Sequence, residues 1–142
     1  MKRTAELMKI LLVEDSLADI ELTLEALEGA KVANEVTVVR DGAAAIEHLH
    51  GGPALRPDLV ILDLNLPRMT GHEVLAAIRG DDVLHRIPVA VLTTSSAEAD
   101  VARTYDLGAN CFLTKPVDID QFIHVVQSID DFWLGLVRLP PS

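Results

Sequence analysis

Four short apolar runs in this chain each end on polar residues with chemical potential. KILLV (9–13) runs into Glu14-Asp15, DLVIL (58–62) into Asp63, VAVL (89–92) into Thr93, and CFLT (111–114) into Lys115-Pro116. Unbroken runs of this length are the pattern of parallel strands buried on both faces. EVTVV (35–39) reads as a further strand. Between the runs, apolar residues recur at helical spacing. Leu17, Ile20, Leu24 and Leu27 follow the first run, and Val74, Leu75 and Ile78 follow Asp63. Ser16 caps the first helix with Asp19 as a capping-box-like partner, and Gly29 ends it. Asp41-Gly42 opens a short helix through Leu49, and HGGPALRP (50–57) reads as loop. Thr70 with Glu73 and Ser95 with Glu98 make two more boxes, and Gly108 closes the fourth helix. Asp118 caps the last helix, whose apolar face is Phe122, Val125, Val126 and Ile129.

Strict alternation of strand and helix predicts a parallel sheet with helices on both faces. The fold class expected is α/β, a flavodoxin-like doubly wound sheet of five strands in the order 2-1-3-4-5. In that order the C-terminal ends of the strands share one edge. Residues 14, 15, 63, 93 and 115 then converge in one crevice beside the switch point between the first and third strands.

Bulk composition narrows the partners. The chain has 142 residues, enough for one domain with a full core. Its 22 acidic and 12 basic residues give a net charge of −10. That balance argues against nucleic acid and against an anionic membrane surface. No apolar run reaches the roughly 18 residues of a membrane span, and the first residues lack the pattern of a secretory signal. A single cysteine, Cys111, fits a reducing cytosol and reads as a small buried hydrophobe. The five histidines make no metal pattern.

The crevice residues suggest a divalent cation and a phosphoryl group. Mg²⁺ takes oxygen ligands, usually one or two carboxylates with waters and phosphate oxygens. Asp15 and Asp63 suit direct ligation, Glu14 ligation through water, and the loop after Asp63 lends a backbone carbonyl, most plausibly that of Asn65. An aspartate can also attack phosphorus and form an acyl phosphate. Lys115 would neutralise phosphoryl oxygens and a threonine would donate to one of them. Alternation along the fourth strand does not separate Thr93 from Thr94.

With Glu14-Asp15, DLNLPRMTG (63–71), Thr93 and Lys115-Pro116 in order, the chain resembles the receiver domain of two-component response regulators over nearly its whole length. The resemblance implies that Asp63 is the phosphoacceptor and that Glu14, Asp15, Asp63 and the Asn65 carbonyl hold Mg²⁺. It favours Thr93 over Thr94 as a phosphate ligand beside Lys115, and makes Phe112 the aromatic of the switch. Tyrosine is common at that position, and phenylalanine packs inward without a hydroxyl. The Lys115-Pro116 bond is often cis in this family, with Pro116 a structural residue. EDSLADI (14–20), DLNLP (63–67), YDL (105–107) and the tail from Asp131 to Pro140 are similar to single-domain regulators that partner phytochrome-type histidine kinases. The implied function is a cytoplasmic switch in which phosphorylation of Asp63 by a histidine kinase changes the face of the fourth and fifth helices. Such a switch catalyses only its own phosphorylation and dephosphorylation.

Three rivals fit less well. An aspartyl phosphohydrolase places D-x-D after its first strand, whereas here the motif follows the third and its second acid is Asn65. A nucleotide or flavin binder wants glycines after the first strand, where this chain has Glu14-Asp15-Ser16. A transcription factor needs a DNA-binding domain, and the chain ends about one helix after the fifth strand. The expected organisation is a receiver domain over 1–129 and an apolar extension over 130–142. Phe132, Trp133 and Leu136 exceed what one helical stripe can bury, which suggests a homodimer or partner surface, with a tail folded back on its own core as the alternative.

Overall fold

The computed structural model describes residues 8–29, 34–93 and 105–124, with Thr93 described by its backbone alone. Five strands form one parallel sheet: β1 (Met8–Val13), β2 (Asn34–Val39), β3 (Leu59–Asp63), β4 (Val89–Thr93) and β5 (Cys111–Thr114). Their order is β2-β1-β3-β4-β5, as expected. Among the described residues the helices are α1 (Leu17–Gly29), α2 (Gly42–Leu49) and α3 (Gly71–Arg79), with a helical stretch at 105–106 and a C-terminal helix at 119–124.

Period-two alternation splits the central strands between two cores. Ile10, Leu12, Ile61, Leu92 and Leu113 face Ile20 and Leu27 of α1 and Phe122 of the C-terminal helix. Leu11, Val13, Val60, Leu62 and Val91 face α2 and α3 through Ala45, Leu49, Val74, Leu75 and Ile78. Both faces are covered, so the strands read as continuous apolar runs. β2 lies at the edge and is only half-buried.

Local signals act as expected in most places. Asp41 caps α2 by accepting from the Ala44 N–H at 2.8 Å, and Thr70 and Glu73 close a reciprocal capping box on α3. Gly108 has φ +102°, and its N–H donates to the Tyr105 carbonyl at 2.9 Å. Asp118 accepts from the Gln121 N–H at 2.8 Å. The Ser95–Glu98 box, Val125, Val126, Ile129 and the tail lie outside the described residues.

Several boundaries differ from expectation, and β1 and β2 each begin one residue early, at Met8 and Asn34. β3 is shifted by one residue, so that Asp63 is its last member and pairs with Leu92. Asp58 precedes the strand, its carboxylate accepting the Lys9 N–H at 2.8 Å and its own N–H donating to the Lys9 carbonyl at 2.7 Å. The 50–57 loop contains a 3-10 turn, Pro53–Leu55, started by a proline that fits its first position.

Candidate phosphoacceptor site

Register carries the candidate residues to one edge. Val13 pairs with both Val39 and Leu62, Asp63 with Leu92, and Thr93 with Thr114. Glu14, Asp63 and Lys115 therefore leave β1, β3 and β5 at one level. Their side chains are 1%, 3% and 10% exposed. Lys115 Nζ lies 3.1 Å from Glu14 Oε1, 3.3 Å from Asp63 Oδ1 and 3.0 Å from Asp19 Oδ2. One ammonium thus stands among three carboxylates.

Two close approaches fix the position of Asp63. Its Oδ1 accepts the Asn65 N–H at 3.3 Å. The Gly71 N–H donates to the Leu64 carbonyl at 3.1 Å, bringing the start of α3 against the strand end. A Cβ on Gly71 would lie 2.6 Å from the Leu64 Cα, so this contact requires glycine.

The charge is out of balance. Burial pushes the Glu14 carboxyl above its usual range, and the nearby Asp63 adds to that shift. Hydrogen bonds from Ser16 and Lys115 oppose it. Burial disfavours the Lys115 ammonium, but Asp19, Glu14 and Asp63 together raise its pKa above the ordinary value. Glu14 Oε1 is buried and meets no partner in hydrogen-bonding geometry, its ion pair with Lys115 apart.

Asp15 stands apart from the other acids. Its side chain is 52% exposed, with Oδ1 4.0 Å from Arg40 Nη2, and its backbone carbonyl accepts from Arg40 at 2.7 Å. Among the described residues no three acid, imidazole or thiol groups are arranged to hold a metal. The donor set nonetheless fits a hard divalent cation. Surplus carboxylate charge, a buried oxygen without a hydrogen bond, and the adjacent Asp15 and Asn65 are what such an ion needs.

Phe112 packs beside the α2–α3 core, half-buried rather than enclosed. Its ring meets Tyr105 edge-on, with centroids 5.0 Å apart and planes at 65°. The Lys115-Pro116 bond is cis. Sequence reasoning gave no site role to Asp19, Arg40 or Tyr105. Asp19 had a usable signal: it sits in the first turn of α1, the helix that follows Glu14-Asp15 directly.

Comparison with known proteins agrees with this geometry. Rcp1 of Synechocystis sp., a response regulator, is 47% identical over 139 residues, covering 94% of this chain and 93% of its own. The bacteriophytochrome response regulator RtBRR superposes with a TM-score of 0.80 at 44% identity, covering 96% of this chain and 86% of its own. The phosphorylated cyanobacterial phytochrome response regulator RcpA gives 0.74 at 46%, covering 96% and 100%. Residues 10–127 match the family described as the response regulator receiver domain, and the chain belongs to it.

Proposed function

We propose that this chain is a phosphoaccepting signalling switch with Asp63 as its acceptor. The observation that carries this reading is the buried Asp63 carboxylate, whose Oδ1 lies 3.3 Å from the Lys115 ammonium. An Asp63 oxygen attacks the phosphorus of a phosphohistidine. The P–N bond breaks, the imidazole keeps its electron pair, and an acyl phosphate forms. Phosphoryl transfer needs mainly positioning and charge neutralisation. Lys115 supplies one positive charge. Glu14, Asp15, Asp63 and the Asn65 carbonyl would hold Mg²⁺, which when bound neutralises the phosphoryl oxygens and the clustered acids. The Thr93 hydroxyl would donate to the new phosphate, and Phe112 would repack behind it, altering the surface of the last two helices. The chain would turn over no other substrate.

The donor would be a histidine kinase of the phytochrome class in the cytosol, and similarity to the phytochrome response regulators RtBRR and RcpA supports the phytochrome link. A homodimer through Phe132, Trp133 and Leu136 belongs to the same proposal. Sedimentation of the full chain against one stopped after Ile129 tests it, and a monomer in both forms would remove it.

For the phosphoacceptor itself, acetyl phosphate with Mg²⁺ should add one phosphoryl group to the wild type and none to Asp63→Asn. EDTA should abolish the addition. Equal labelling of the variant, measured by mass spectrometry, would sink the assignment.

A further inference from the structure

A Ser-x-x-Asp string at a helix start ordinarily closes on itself, with the acid accepting the N-cap N–H. At α1 only half of that box forms. The Asp19 N–H donates to Ser16 Oγ at 3.2 Å, but the Ser16 N–H donates to Glu14 Oε2 at 3.1 Å. The Asp19 carboxylate reaches instead to Lys115, 96 residues away in sequence. Its Oδ2 accepts from Nζ at 3.0 Å, closer than either Glu14 oxygen (3.1 and 3.4 Å) or Asp63 Oδ1 (3.3 Å). Glu14 thus takes the backbone donor that Asp19 would use, and Asp19 takes a share of the ammonium that Glu14 and Asp63 would hold alone.

We propose that Asp19 is a positioning residue that moors the Lys115 ammonium to α1 and takes a share of its charge, so that Glu14 and Asp63, which it also touches, keep negative charge for a divalent cation. This rests on the reading of the site as a metal-assisted phosphoacceptor. An ammonium with no anchor on α1 settles between Glu14 and Asp63. There it neutralises the oxygens a cation needs and repels the cation itself. Lysine is a compact charge on a flexible stem, so the anchor it holds decides where its charge acts. The Asp19 side chain is 30% exposed, against 1% and 3% for Glu14 and Asp63. Asp19 is therefore the least desolvated of the three anchors, and the one Lys115 leaves at least cost when phosphoryl oxygens arrive.

The test is a double-mutant cycle on Mn²⁺ affinity, read from the electron paramagnetic resonance of the free ion. It uses the full chain as wild type, Asp19→Asn, Lys115→Met and the double variant. Asp19→Asn should weaken Mn²⁺ binding roughly tenfold in the wild-type background, in the range seen when residues supporting a metal site are removed. In the Lys115→Met background it should change binding less than about twofold, within ordinary additivity. Asp19→Glu keeps the charge on a longer stem and should restore wild-type affinity. Equal losses in both backgrounds would make Asp19 a remote charge acting without Lys115. No loss in the wild-type background would make the pairing incidental. Either result overturns the proposal. Acetyl phosphate labelling of the same wild-type sample tests the phosphoacceptor reading separately, because the Mn²⁺ cycle needs no phosphorylation.

Discussion

Each edge of the sheet holds a largely enclosed cation, and the two are held in opposite ways. At the N-terminal edge of β4 and β5, Arg79 donates to the carbonyls of Gly108 (2.8 Å), His85 (3.0 Å) and Ile87 (2.7 Å) and to Asn110 Oδ1 (2.8 Å). All four acceptors are neutral, and burial lowers the Arg79 pKa. At the C-terminal edge, Lys115 meets three carboxylates and its pKa is raised. Arg79 satisfies neutral oxygens that topology placed there, and its own positive charge meets no anion among them. Lys115 leaves surplus negative charge that a second cation can enter. The first arrangement is a fastener, and the second is a site.

That contrast breaks most visibly under mutation with and without Mg²⁺. Arg79→Ala should cost about 2–4 kcal/mol, because buried carbonyls lose a charged donor. Lys115→Met should cost about as much without metal, since the clustered acids then repel. Saturating MgCl₂ should recover much of the Lys115→Met loss, on the order of 2–3 kcal/mol at about a hundredfold excess over Kd. Measured against wild type at the same MgCl₂, it should recover none of the Arg79→Ala loss, because that variant keeps the wild-type cation site and gains only what wild type gains. Urea midpoints at constant slope measure all four values, and an equal response of the two variants would erase the distinction.

A smaller effect is expected where backbone rather than charge shapes the site. Gly71→Ala should cost about 1–3 kcal/mol from overpacking, because its Cβ meets the chain at Leu64. It should also slow labelling of Asp63 by acetyl phosphate, since relief of the clash moves the strand end. A variant that loses stability but labels at the wild-type rate would show that the glycine serves folding alone.

The smallest effect belongs to the opposite edge. His50 Nε2 lies 2.9 Å from Asp81 Oδ2, and the Val83 and Leu84 N–H groups donate to Oδ1. These bonds, that to His50 first, lower the Asp81 pKa from 3.8 to about 2. A lowered carboxyl pKa adds stability that is present above the unfolded value and lost as pH falls through the folded one. His50→Ala should therefore raise the Asp81 pKa in a carbon NMR titration. Its acid unfolding curve should differ from wild type above about pH 4 and converge with it below about pH 2. An unmoved Asp81 titration would assign the shift to the backbone donors.

How much could be read without coordinates follows the same division. The strand order, Asp63, Lys115 and the α2 and α3 caps were legible because apolar runs and cap residues are local signals. The Arg79 fastener was not, because its acceptors are mainly backbone oxygens that any residue could supply. Asp19 was misread because half of a capping box has the same sequence as a whole one. Asp15 was legible as an acid at the strand end, but its pairing with Arg40 spans 25 residues and left no periodic trace. Phe112 was expected to pack inward. It packs partly buried against the α2–α3 core, and its ring also meets Tyr105 edge-on at 5.0 Å.

The loop after Asp63 carries one further consequence. Arg68 has φ +68°, and the Met69 N–H donates to the Pro67 carbonyl at 2.7 Å around it. This is a γ-turn of positive φ, the rarer of the two kinds. A side chain in that region costs roughly 1–2 kcal/mol. The Arg68 guanidinium offsets part of that cost by pairing with Asp41, the cap of α2. The two positions should therefore be inherited together. In a library randomised at both and selected for folding, aspartate at 41 should accompany a cation at 68. Glycine at 68, free of the backbone cost, should leave position 41 free to vary among capping residues.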